Sequence, residues 1–183
     1  MEGRIVVVHD TRLAGESPSG DISLIRVDGN TPLSSLVQRL LNVAFQFGGE
    51  VRVRIMCHGY EDTDGHGGYG LQLCQEGLVL GTVNQLQPLR GQLDYYMKIY
   101  SCAAADVAPG HQGGIGDGRM LCSRIAGIVE TGLFAADATQ YYSNRTLFGL
   151  ISSPIDFGAW EGNLLEFDAR GVLVGSTHAP ADH

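Results

Sequence analysis

The chain has 183 residues, enough for one domain with a substantial core and too few for two ordinary ones. Its 44% hydrophobic and 17% charged residues fit a folded chain rather than a disordered one. The net charge of −8, with only 12 scattered Lys+Arg, argues against a nucleic-acid partner, which needs clustered basic residues. No apolar run approaches the roughly 18–20 residues of a membrane span, so no membrane partner is expected. Met1-Glu2-Gly3-Arg4 followed by Ile5 to Val8 lacks the length and cleavage site of a signal peptide. The expected location is the cytoplasm, with a secreted effector or a piece of a larger protein left open. Cys57, Cys74, Cys102 and Cys122 show no CxxC pairing and are expected to be free thiols.

In chain order, Ile5 to His9 is a short β-branched run that predicts a strand, and Ile22 to Val27 predicts a second. Leu33, Leu36, Val37, Leu40, Leu41 and Ala44 recur at three-four spacing. They predict a helix opened by Thr31 or Pro32 and stopped by Gly48-Gly49. Val51 to Cys57 alternates apolar and basic residues, a period-two strand signal. Gly67 to Leu80 predicts a small hairpin hinged at Glu76-Gly77, and Thr82 to Leu93 a helix interrupted near Pro88. Tyr95 to Tyr100 is the next strand, followed by a long Gly-rich loop over 103–118. Asp117 is expected to cap a helix through Val129, and Leu133 to Ala136 is one more strand.

The tail differs in style. Leu147 to Leu150, Phe157 to Trp160, Leu164 to Phe167 and Val172 to Val174 predict short antiparallel strands, with 177–183 frayed. The order implies an α/β fold of three layers, a mostly parallel sheet with helices on both faces, plus a C-terminal β-hairpin extension. Residues 1–142 are expected to form the α/β unit, and 143–183 a β-rich extension packed on it.

Open sheets of this kind carry ligands at the carboxyl ends of their strands. Two strands end there in reactive residues: Val51 to Cys57 runs into His58-Gly59, and Tyr95 to Tyr100 runs into Ser101-Cys102. If the strands are neighbours, about 4.8 Å apart, both side chains project into one crevice. A thiol, an imidazole and backbone donors are the parts of a cysteine nucleophile site. The amides of Gly59 and Cys102 are the expected oxyanion donors. Taken singly, His58 reads as a strand-capping histidine and Cys102 as an inert buried thiol. Their joint placement favours a site. Cys57 alternates to the opposite face, and Cys74 and Cys122 fall on apolar positions, so all three are expected in the core.

The runs Arg54-Ile55-Met56-Cys57-His58-Gly59 and Lys98-Ile99-Tyr100-Ser101-Cys102-Ala103 resemble the two-part signature of caspase-like cysteine peptidases. The Gly-rich hairpin between them and the stretch Leu121 to Asp137 resemble the bacterial branch of that clan, including CHAT-type domains. The resemblance covers roughly residues 4–142 and implies a cysteine endopeptidase with Cys102 as nucleophile and His58 as acid/base. The chain departs from the pattern in Ser101-Cys102-Ala103-Ala104-Ala105, where no glycine follows the cysteine. The resemblance places the first specificity pocket near Ser101, Asp106 and Asp137, with Asp62 and Asp64 as further candidates. A carboxylate there favours Arg or Lys in a protein or peptide substrate.

Other readings carry less. A zinc site from Cys57, His58, Cys102 and His111 matches no standard spacing, so no metal or other cofactor is expected. Gly113 to Gly118 lacks the Lys-Ser/Thr of a phosphate loop and is expected to be a mobile loop over the site. His66-Gly67-Gly68 has no Gly-x-Ser-x-Gly elbow to serve. His9, His111, His178 and His183 have no visible partners. The competing function is a catalytically silent binding or regulatory module of the same fold, and the oligomeric state stays open.

Overall fold

The computed structural model describes residues 3–140, 155 and 160–178. Seven strands form one sheet: β1 (Arg4–Asp10), β2 (Ser23–Val27), β3 (Val51–Met56), β6 (Tyr96–Tyr100), β7 (Gly132–Ala136), β8 (Asn163–Phe167) and β9 (Leu173–His178). Their order is β2-β1-β3-β6-β7-β8-β9. The first five run parallel, and β8 and β9 are antiparallel additions at one edge. A separate two-stranded piece pairs β4 (His58–Gly59) with β5 (Leu71–Gln72).

The helices form for the reasons their sequences suggest. Helix α1 (Leu33–Gln46) buries Leu33, Leu36, Val37, Leu40 and Ala44 as one stripe. Pro32 offers no side-chain cap, and the Glu76 carboxylate accepts from the Leu33 amide instead, at 2.8 Å. Helix α2 (Gly118–Val129) starts where the Asp117 carboxylate accepts from the Met120 amide at 2.9 Å, and stops where Glu130 turns left-handed. Val83–Leu89 is a 3-10 segment rather than the expected interrupted α-helix. Pro88 within it has no N–H for an i→i−4 ladder, and a short tight helix tolerates that loss.

Both helices and the 3-10 segment pack on one face of the sheet, against Val6, Val8, Val53, Ile55, Met97, Ile99, Leu133 and Leu165. The opposite face is closed by Leu13, Ile155 and Trp160 over Val7, Met56, Tyr100 and Ala136. The Tyr100 and Trp160 rings stack there at 4.7 Å. Among the described residues, the expected second helical layer is absent. Arg52, Arg54 and Lys98 lie on that second face of the sheet. They alternate with the core positions of β3 and β6, and an apolar helix stripe there would bury their charges. Arg52 instead lies over the Tyr95 ring, and Lys98 over Tyr96.

Two further expectations change. The 67–80 hairpin reduces to a single bridge, Leu71 to Leu78, because Leu71 and Gln72 pair with His58 and Gly59. Thr177 and His178 belong to β9 rather than to a frayed end. The expected strand at 147–150 lies outside the described residues, as do 157–159 of the one expected at 157–160, and Trp160 itself is not in a strand. The β8-β9 hairpin continues the central sheet directly, through Ala135 opposite Leu165 and Leu133 opposite Phe167. No helix among the described residues is long and apolar enough to cross a membrane.

All four cysteines are free, as expected. Burial pushes the Cys122 thiol from 9.0 up to about 12 and Cys74 likewise, and it raises Cys57 too. A thiol that ionises less readily when folded contributes stability below pH 9, and that contribution is lost as pH rises towards 12. Urea unfolding under reducing conditions is therefore expected to show stability falling over this range. The Cys122→Ala variant should fall less steeply, by up to about 1.4 kcal/mol per pH unit.

Candidate active site

Strand β3 pairs with β6 in register up to Met56 opposite Tyr100, and the Cys57 amide still donates to the Tyr100 carbonyl at 3.2 Å. The next residues on each side are the expected ones, His58-Gly59 and Ser101-Cys102. The approach is close. A Cβ placed on Gly59 would lie 2.1 Å from the Cys102 carbonyl oxygen, so only glycine fits.

His58 is half-buried, and its Nε2 lies 3.2 Å from the Arg12 carbonyl. A carbonyl only accepts, so Nε2 of the neutral ring carries the hydrogen and Nδ1 keeps the lone pair. Cys102 is also half-buried, and its Sγ donates to the Gln140 carbonyl at 3.5 Å. Burial raises the Cys102 pKa, with a smaller push from the Glu61 carboxylate. Nearby backbone amides at Gly59 and Cys102 pull it the other way more weakly. At neutral pH the group is a thiol, and it needs a base to become a nucleophile.

Ala103, directly after Cys102, sits at φ 44°, in the left-handed region that usually calls for glycine. Its amide donates to Ala138 and its carbonyl accepts from Gly68, so both sides of the strained residue are held.

Ser101 is buried, and its hydroxyl finds no hydrogen-bond partner among the described residues. Asp106 accepts from the Gly67 and Val107 amides at 3.0 and 2.8 Å, tying the loop at 66–70 to the loop after Cys102. Asp137 accepts from the Asn163 amide at 2.7 Å and its side-chain nitrogen at 3.0 Å, with Arg119 3.9 Å away. Its carboxylate joins the ends of β7 and β8. Asp62 caps its own turn by accepting from Asp64 and His66, and Asp64 is exposed.

The loop at 103–118 is closed on itself. Val107 bridges Asp117, and His111 Nδ1 lies 2.6 Å from the Ile115 carbonyl. His9 is buried between Ser17 and the Leu13 carbonyl. No three His, Cys, Asp or Glu side chains come together to hold a metal among the described residues. Sequence reasoning misses Arg12, Gln140 and Glu61. Arg12 and Gln140 meet the dyad through backbone carbonyls, which leave no residue signature. Glu61 is an exposed carboxylate that accepts from the Thr139 hydroxyl at 3.4 Å.

The fold and site define a mostly parallel α/β protein with a cysteine and a histidine at adjacent strand ends. No protein-family model, curated protein or solved structure matches the chain.

Replacing Gly59 by Ala should be among the most damaging single-methyl changes in the chain. The clash is with backbone, which cannot rotate away. Overpacking of this kind costs roughly 1–3 kcal/mol. Chemical denaturation of Gly59→Ala should show a loss of that size, whereas Gly81→Ala, with open space around its Cβ position, should unfold like the parent.

Proposed function

We propose that the chain is a cysteine endopeptidase of caspase-like type, with Cys102 as nucleophile and His58 as acid/base. The observation that carries this reading is the in-register pairing of β3 with β6. It sets His58-Gly59 so close to Cys102 that a Cβ on Gly59 would lie 2.1 Å from the Cys102 carbonyl oxygen, while His58 Nε2 is engaged by the Arg12 carbonyl. The chemistry then follows in balanced steps. Sγ attacks the scissile carbonyl as its proton passes to His58 Nδ1, and the carbonyl oxygen gains negative charge between the Gly59 and Cys102 amides. The C–N bond breaks, and Nδ1 returns the proton to the leaving amine. Water then attacks the thioester, giving one proton to Nδ1. The C–S bond breaks, and that proton returns to sulfur.

The substrate is a protein or peptide, and Arg or Lys at the cleavage site is the favoured specificity. Glu61 is an exposed carboxylate near the thiol that accepts from the Thr139 hydroxyl at 3.4 Å, whereas Asp137 is hydrogen-bonded twice by Asn163. A second reading, a silent binding module, is favoured by one observation: the resting thiol is bonded to the Gln140 carbonyl rather than to an imidazole.

Cleavage of a mixed fluorogenic peptide library under reducing conditions, with and without calcium, separates the two. The peptidase reading expects turnover that disappears in Cys102→Ala, with Glu61→Gln selectively weakening Arg and Lys peptides. No turnover in either protein supports the silent module.

A further inference from the structure

We propose that Asp10 is the positioning residue of the dyad, acting through Arg12 to hold the His58 ring in one tautomer. The inference rests on the Cys102/His58 reading above.

Asp10 ends β1 and is fully buried. An unpartnered carboxylate there would be costly, and this one accepts four hydrogen bonds. Two come from the Arg12 side chain, Nε at 2.8 Å and Nη2 at 2.7 Å. The others come from the Arg12 amide at 3.2 Å and the Cys74 amide at 2.9 Å. The Leu13 amide donates to the Asp10 carbonyl, and the Thr11 amide to Val27, so residues 10–13 form a braced corner. The carbonyl that this corner presents to the site is that of Arg12, 3.2 Å from His58 Nε2.

The same carboxylate reaches the site by a second arm. Cys74 adopts φ 61°, a conformation an L residue rarely takes. Asp10 holds its N–H, and Arg12 Nη2 holds its carbonyl at 2.8 Å. Cys74 closely follows β5, whose Leu71 pairs with Gly59. One buried anion therefore steadies both the carbonyl that orients the imidazole and the strand that backs the oxyanion glycine. Asp10 touches neither thiol nor imidazole. Its effect on the chemistry is to keep Nδ1 free as the base, by keeping an acceptor in place at Nε2.

The test uses the full chain labelled with 15N-histidine and two-bond nitrogen–proton correlation near pH 8.5, well above an ordinary imidazole pKa of about 6.5. Wild-type His58 is expected wholly as the Nε2–H form. In Asp10→Asn and Arg12→Lys it should become a mixture, while His111, held by the Ile115 carbonyl at its Nδ1 outside this corner, stays unchanged as the folding control. If Asp10→Asn does not fold, Arg12→Lys decides, since its side chain is partly exposed and the Asp10 charge keeps a cationic partner. A single unchanged tautomer in the folded variants overturns the proposal, as does a wild type in which His58 is mixed or Nδ1–H.

Where turnover is measurable, kcat should fall about 10- to 100-fold, the range for outer-shell partners, with KM within about twofold. A raised KM at unchanged kcat would count against a positioning role. A tautomer shift in a chain without peptidase activity supports Asp10 as positioner and tells against the peptidase alone.

Discussion

The parallel register of β3 with β6 is the constraint on which the candidate site depends. Side chains alternate along both strands, sending Val53, Ile55, Met97 and Ile99 into the helical core. A slip of one residue would expose them and press Arg54 and Lys98 inward. Four large apolar side chains, at roughly 1.5–3 kcal/mol each, hold the register against that slip. The reward for the chemistry is indirect. Residues remote from the site place His58-Gly59 beside Ser101-Cys102, and the fit is close enough that position 59 admits no side chain.

The same register has a cost. Arg54 and Lys98 stand directly opposite each other, a like-charge pairing that sheets disfavour. Aromatic neighbours ease it, with Lys98 over the Tyr96 ring and Tyr96 edge-on to Phe134. The two faces of the sheet consequently differ in kind. One is a dry aliphatic core under α1 and α2, and the other is a smaller apolar cluster centred on the Tyr100–Trp160 stack.

Strain gathers beside the candidate nucleophile. Ala103 in the left-handed region costs about 1–2 kcal/mol relative to ordinary backbone, and it persists because hydrogen bonds from both sides over-determine it. Its amide meets Ala138, the Ala105 amide meets Ala136, and the Cys102 thiol meets Gln140. The segment that follows β7 thus forms one wall for the whole turn. A neutral, half-buried thiol in such a frame is at rest until a base engages it.

The sequence by itself determined the periodic elements. Three-four spacing marked α1, the Asp117 cap marked α2, alternation marked β3, and apolar runs ending in His58 and Cys102 marked where chemistry would lie. These are local signals, carried by side-chain type within a few residues. Only the tertiary structure decided which face the helices cover, that β8 and β9 extend the same sheet, and what surrounds the dyad. Asp10 meets Cys74 across 64 positions, and Asp137 meets Asn163 across 26. Arg12 reaches His58 through a main-chain carbonyl, a group that every residue possesses. A pattern of side chains cannot single out such an atom, because its role is set by where the folded backbone aims it.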